Sequence, residues 1–130
     1  MLHHTGFIVS DIDKWAAKML FEQKTNEVFD ALQNARLVLY KNFSPVLIEL
    51  IQPVSEKSFT WNSLQKNGEH FNHFCYEVDN MEVLNSYITR FRLIKVMDPI
   101  PALLFENRYV CFYYTRTKQV VEFIINNYEN

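Results

Sequence analysis

The sequence has no concentration of positive charge. Its 13 Lys and Arg residues are scattered among 15 Asp and Glu residues, and the formal net charge is −2. Nucleic-acid-binding surfaces and proteins that bind anionic membranes both depend on clustered basic side chains. The sequence therefore predicts neither a nucleic-acid partner nor a membrane partner.

Long apolar runs and cysteines are also scarce. No apolar run approaches the roughly 18 residues that span a bilayer, and the N-terminus shows no secretion signal. The two cysteines, Cys75 and Cys111, each lie inside an aromatic strand-like run. We interpret them as buried free thiols rather than a disulfide, which favours a cytoplasmic location.

Aromatic residues are abundant by contrast, with 11 Phe and 7 Tyr, whereas glycine occurs only twice. This composition favours packed β faces over a helical bundle. The length of 130 residues predicts one domain that spans residues 1–130.

Apolar patterning predicts the same order of elements, β-α-β-β-β, twice within that domain. Module one covers about residues 1–53 and begins with a strand at Leu2–Val9, followed by a helix that Ser10 or Asp11 caps. Its three further strands are expected at 25–29, 35–40 and 46–51. Residues 54–69 are expected to form a linker with a short helix.

Module two covers about residues 70–130. It begins with a strand at 71–78 and a helix from Asn80 to about Phe91. Four strand-like runs follow, one more than module one has after its helix, at 93–97, 103–105, 109–114 and 120–125. A turn at Asp98–Pro101 is expected to interrupt this module, because proline cannot extend a β ladder.

The two modules also share residue identities. "HTGFIVSDI", which starts at His4, aligns with "HFCYEVDNM", which starts at His73, and "IELI" aligns with "VEFI". Each module therefore offers one His in its first strand and one Glu, Glu49 or Glu122, in its last. Taken singly, such a His is usually an ordinary polar residue, and strand alternation could turn either Glu toward water. Together they form a mixed nitrogen and oxygen donor set that suits a borderline divalent ion.

These stretches resemble the vicinal oxygen chelate superfamily, which includes glyoxalase I, methylmalonyl-CoA epimerase, extradiol dioxygenases and antibiotic-resistance proteins. The resemblance rests on "HTGFIVSDIDK", "IELIQP", "NHFCYEVDNME" and "VVEFI" in this order. It implies an α+β fold in which two tandem βαβββ modules form a curved, barrel-like mixed sheet with a metal site in its cleft. The implied ligands of one divalent ion (Co, Ni, Zn, Mn or Fe) are His4, Glu49, His73 and Glu122.

The resemblance further implies a metal-dependent epimerase or isomerase that acts by α-proton abstraction on a small carbonyl compound, for example an acyl-CoA. Glu122 is the expected base, and Glu49 is a ligand and candidate second base. Arg108 and Arg116 are candidates for holding an anionic tail. A glyoxalase I-type lyase and a non-catalytic binding module of the same fold stay open as alternatives. The modules could pair within one chain or swap between the chains of a homodimer.

One departure from the epimerases concerns the second acid/base residue. Leu32 stands where that group carries a glutamate before a "QGV"-like stretch, and Asp30 lies two residues away. Glu49 is itself a departure, because the epimerases usually carry Gln there and glyoxalase I carries Glu. No residue matches a glutathione-recognition pattern.

Overall fold

The computed structural model describes residues 1–129 and divides into two compact units. The N-terminal unit is His4–Asn72, and the C-terminal unit combines Met1–His3 with the chain from His73 onward. The strands and helices, in chain order, are β1 Leu2–Ile8, α1 Ile12–Ala16, β2 Gln23–Asp30, β3 Ala35–Lys41, β4 Leu47–Pro53, α2 Trp61–Asn67, β5 His70–Val78, α3 Met81–Phe91, β6 Ile94–Ala102, β7 Arg108–Tyr114 and β8 Val120–Ile125. This order confirms the predicted α+β class and the two βαβββ modules.

The strands of each unit follow the same plan. In the N-terminal unit the order is β2-β3-β4-β1, with β1 parallel to β4 and the other pairs antiparallel. In the C-terminal unit it is β6-β7-β8-β5, with β5 parallel to β8. Each module therefore places its first and last strands side by side, which brings the predicted His-bearing strand next to the predicted Glu-bearing strand.

Each module packs its helix against one face of its own strands. Ile12 of α1 packs with Val9, Val38 and Leu50 in the N-terminal unit, and all four side chains are fully buried. In the C-terminal unit, Leu84 of α3 packs in the same way with apolar side chains of β5, β7 and β8. The opposite face of the β1/β4 pair and of the β5/β8 pair is therefore not covered by the helix of its module.

Side-chain caps set where the two module helices begin. Asp11 accepts a hydrogen bond from the Lys14 amide at 3.0 Å, and Asn80 accepts one from the Val83 amide at 3.0 Å. Both caps satisfy an amide that the first helical turn leaves without a partner. Helix α1 is short and ends at Ala16.

Asn80→Ala should lower the free energy of unfolding by about 1 kcal/mol, because it removes the α3 cap. Chemical denaturation followed by circular dichroism measures this loss. Asn62→Ala is the matched control, since Asn62 is exposed within α2. Equal effects of the two substitutions would contradict the capping role.

Two local predictions for module two are wrong. Strand β6 continues through Asp98–Pro101 instead of turning, with register shifts between Lys95 and Ile100. The prolines are tolerated because β6 is the outermost strand of its unit, where one side needs no ladder hydrogen bonds. Leu103–Phe105 forms a 3-10 turn rather than a strand, and it closes with a left-handed Glu106.

Both cysteines are free and fully buried, as the sequence predicted. Burial raises the pKa of the Cys111 thiol to about 12, so this thiol stays protonated near neutral pH. Among residues 1–129, no helix is both long and apolar enough to cross a membrane.

Candidate functional site

His4 and Glu49 form a buried pair in the N-terminal unit. His4 lies on β1 and Glu49 on the adjacent parallel strand β4. Their Nε2 and Oε1 atoms are 3.4 Å apart, and the two residues are 0% and 4% exposed. Glu49 therefore does not face water, which was the simpler reading of its strand pattern.

His73 and Glu122 form the corresponding pair in the C-terminal unit. His73 lies on β5 and Glu122 on the parallel strand β8, and their Nε2 and Oε1 atoms are 3.1 Å apart. The two residues are 2% and 4% exposed. This pair also lies on the face that α3 does not cover, because the neighbouring Val121 and Phe123 belong to the α3 core.

The two pairs are built with the same register. His4 aligns with Leu47, so Glu49 is two residues further along the partner strand. His73 aligns with Val120, so Glu122 is again two residues further along. Since side chains two residues apart share a face of a strand, each module projects an imidazole and a carboxylate from one face along the same diagonal.

The donor atoms of each pair fit a shared divalent ion. Metal–nitrogen and metal–oxygen bonds of about 2.0–2.2 Å place two ligands about 2.8–3.6 Å apart at angles from 90° to tetrahedral. The observed separations of 3.4 and 3.1 Å fall inside that range. Buried carboxylates are costly unless they are paired or bind a metal, so both the burial and the donor set suit this use.

Two further side chains, not among the predicted site residues, lie beside His73 or stabilise the strand that carries Glu49. Phe112 aligns with Glu122 on β7, and its ring lies edge-on to His73 with centroids 6.1 Å apart. Gln52 of β4 accepts a hydrogen bond at 2.9 Å from the amide of Ile12 and so ties β4 to α1. The alternating pattern around Phe112 was visible in the sequence, but the Gln52 contact depends on tertiary structure.

The position where the epimerases carry their second acid/base residue lies in a turn. Leu32 is 58% exposed in the turn between β2 and β3. The Asp30 carboxylate accepts hydrogen bonds from the amides of Leu32 and Gln33, at 2.9 and 3.1 Å, so it stabilises that turn.

The two arginines proposed for an anionic tail differ in their surroundings. Arg108 donates to Glu77 at 3.0 Å and to Asn126 at 2.7 Å, so its guanidinium already has partners within the C-terminal unit. Burial raises the pKa of the Glu77 carboxyl, but hydrogen bonds from Asn126 and Arg108 outweigh burial and leave this pKa below its ordinary value. Arg116 is exposed in the β7–β8 hairpin.

Several solved structures are similar to the chain. A hypothetical protein from Bacillus halodurans is 19% identical, with a TM-score of 0.82 over 100% of this chain and 96% of that one. Methylmalonyl-CoA epimerase from Mycobacterium tuberculosis is 20% identical, with a TM-score of 0.81 over 97% and 87% of the two chains. A Streptomyces coelicolor methylmalonyl-CoA epimerase variant in complex with 2-nitronate-propionyl-CoA is 18% identical, with a TM-score of 0.76 over 95% of each chain. At these identities the likeness establishes the fold.

A search of curated proteins by sequence gives no significant match. The family description that matches, over residues 3–112, is the Glyoxalase/Bleomycin resistance protein/Dioxygenase superfamily. That range covers β1 through most of β7, and it includes His4, Glu49 and His73. The chain therefore belongs to the glyoxalase/bleomycin resistance protein/dioxygenase superfamily.

Proposed function

We propose that His4, Glu49, His73 and Glu122 together hold one divalent ion, drawn from Co, Ni, Zn, Mn and Fe. The observation that carries this proposal is the repeated diagonal, in which each module buries one imidazole and one carboxylate at the same register. Two imidazoles and two carboxylates would suit a borderline ion. When bound, the ion acts as a Lewis acid toward a carbonyl group.

The chemistry that this donor set supports best is proton abstraction next to a carbonyl. The Glu122 carboxylate accepts the α-proton, and the electron pair of the broken C–H bond moves to the carbonyl oxygen. Return of a proton to the same carbon regenerates the carbonyl compound as its epimer or isomer. Glu122 is 4% exposed, so little water reaches its carboxylate, which strengthens its interaction with the proton.

The substrate in this proposal is a small carbonyl compound, for example an acyl-CoA. This choice is supported by the similar epimerase structures, one of which is described as a complex with methylmalonyl-CoA and another with 2-nitronate-propionyl-CoA. Glu49 is the candidate second base, because neither Leu32 nor Asp30 is placed for that role.

We also infer a cytoplasmic location. The same four ligands are compatible with a homodimer in which modules exchange between chains.

Solvent exchange tests the proposed proton transfer. With Co²⁺ added, methylmalonyl-CoA incubated with the protein in D₂O should gain deuterium at its α-carbon, as measured by NMR or mass spectrometry. Glu122→Gln should slow this exchange at least about 100-fold, because general acid–base catalysis contributes that much or more. Glu82→Gln, which makes the same change on the exposed face of α3, should leave the rate unchanged.

A glyoxalase I-type lyase is the second candidate, and Glu49 is the feature that favours it over the epimerase. The same assay with the hemithioacetal of methylglyoxal and glutathione separates the two, since only the lyase would convert it to the thioester. An absence of exchange with both acyl-CoA and hemithioacetal substrates would contradict both enzymatic proposals for those substrates and favour the binding module.

A further inference from the structure

The C-terminal unit carries a pocket of about 760 Å³ on the sheet face that α3 partly covers. Its walls come from Met1 and Leu2 at the start of the chain, from β5, β8 and the last turns of α3, and they are mostly apolar or aromatic: Phe74, Tyr76, Tyr87, Phe91, Val121 and Phe123. Small-molecule sites in proteins span about 300–1,000 Å³ and are mostly lined in this way. The pocket therefore has the size and the walls of a binding site.

This pocket is separate from the His73–Glu122 pair. Phe74 aligns with Val121 and Tyr76 with Phe123, and these residues alternate with His73 and Glu122 along β5 and β8. Alternate side chains of a strand point to opposite faces, so the pocket and the proposed metal ligands lie on opposite sides of the same two strands.

The aromatic wall is already packed in part. The rings of Tyr87 and Phe123 are stacked with centroids 6.5 Å apart, and the centroids of the Tyr87 and Phe91 rings are 6.4 Å apart. Phe91 remains 53% exposed and Phe74 36% exposed. A ligand that covers these two rings removes apolar surface from water without reorganising the wall behind them.

One end of the pocket is polar and carries one positive charge. This end is the β7–β8 hairpin, which contributes Arg116, Thr115 and Gln119. The Gln119 amide donates to Thr115 Oγ1 at 3.0 Å, so the hairpin holds its own shape. Within residues 1–129 the Arg116 guanidinium makes no ion pair, unlike Arg36 and Arg108, which bind carboxylates.

We propose that this pocket binds a single-chain amphiphile with a carboxylate head, of the medium-chain fatty acid class. The apolar chain lies against the aromatic walls, and the carboxylate pairs with Arg116, whose planar guanidinium matches a carboxylate in a bidentate fashion. At the hairpin end, Arg116 is the charged side chain that lines the pocket, and it balances a monoanion. A second copy of this chain would instead need a broad face of about 800 Å² per partner, whereas this site is a concave cavity with one charged end.

Calorimetric titration of decanoate into the chelator-treated protein tests this proposal. One decanoate should bind per chain, and Arg116→Gln should weaken binding about tenfold because it removes a charge-assisted hydrogen bond. Lys118→Gln is the matched control, since Lys118 belongs to the same hairpin and does not line the pocket. Binding that is absent, or equally weakened by both substitutions, would overturn the proposal.

The apolar wall has its own matched pair of variants. Phe91→Ser should weaken decanoate binding severalfold, whereas Phe59→Ser, at a 68% exposed ring of the N-terminal unit, should not. Neutral decanol should bind the unmodified protein no more tightly than decanoate binds Arg116→Gln.

Sedimentation at several protein concentrations tests self-association. A dimer that Phe91→Ser dissociates would identify the pocket as a self-association surface and overturn the proposal. Because no metal is present, these results are independent of the proposed catalytic function.

Discussion

Glu122→Gln is expected to lower the affinity of the protein for Co²⁺ by more than about 100-fold. Changes to groups that merely support a metal ligand typically cost 10–100-fold in affinity, so loss of a ligand should cost more. Glu122 is 4% exposed and its carboxylate lies 3.1 Å from His73 Nε2, so the amide of Gln would replace a negative donor at the proposed centre. Calorimetric titration with Co²⁺ measures the change, and His73→Ala should behave in the same way.

Two controls separate metal loss from misfolding. Glu82→Gln makes the same change in charge on exposed α3 and should bind Co²⁺ like the unmodified protein. Without metal, Glu122→Gln should melt within a few degrees of the unmodified protein, because Gln preserves the shape of the side chain. Added Co²⁺ should raise the melting temperature of the unmodified protein and of Glu82→Gln but not that of Glu122→Gln, since an ion that binds the folded state stabilises it. Unchanged affinity in Glu122→Gln would refute this ligand.

His4→Ala should abolish Co²⁺ binding, whereas His3→Ala should leave it nearly intact. His4 is fully buried, with its Nε2 atom 3.4 Å from Glu49 Oε1. His3 has other partners, because its ring lies edge-on to Phe105 and its Nε2 atom is 3.9 Å from Glu77 Oε1. The two adjacent histidines therefore differ in their partners, and only His4 is paired with a proposed metal ligand.

The two variants form a matched pair, because His3 and His4 are adjacent residues of β1 and each is replaced by alanine. Equilibrium dialysis against Co²⁺ followed by elemental analysis measures the bound metal in each variant. If both variants lose metal equally, the effect is a general disruption of β1 and the ligand assignment fails. If only His3→Ala loses metal, the assignment of the opening strand is reversed.

Local sequence patterns were sufficient for the parts of the structure that depend on neighbouring residues. The cap at Asn80 and the strand alternation around Glu122 are properties of a few consecutive residues. The second occurrence of the pattern, at His73 after His4, predicted the two modules because a repeated sequence folds into a repeated unit. The burial of both glutamates required the tertiary structure, since alternation alone is compatible with water on that face.

Other features depend on partners that are distant in sequence. Pro99 and Pro101 argued against a strand. Their strand, β6, is the outermost strand of its unit, where proline is tolerated. The order of strands in a sheet cannot be read from a local stretch of sequence. Arg108 was a candidate for binding an anionic ligand, yet Glu77, 31 residues away, pairs with it. The pocket beside Arg116 also combines residues from β5, α3 and β8, so no single stretch of sequence indicates it.

The number of divalent ions bound per chain tests the central claim most directly. If the pairs His4–Glu49 and His73–Glu122 share one centre, dialysis against Co²⁺ should give one ion per chain. His4→Ala and His73→Ala should each reduce that number to zero, whether the modules pair within a chain or between chains. Two ions per chain, or one ion retained in either variant, would show that each pair acts alone and would contradict the account.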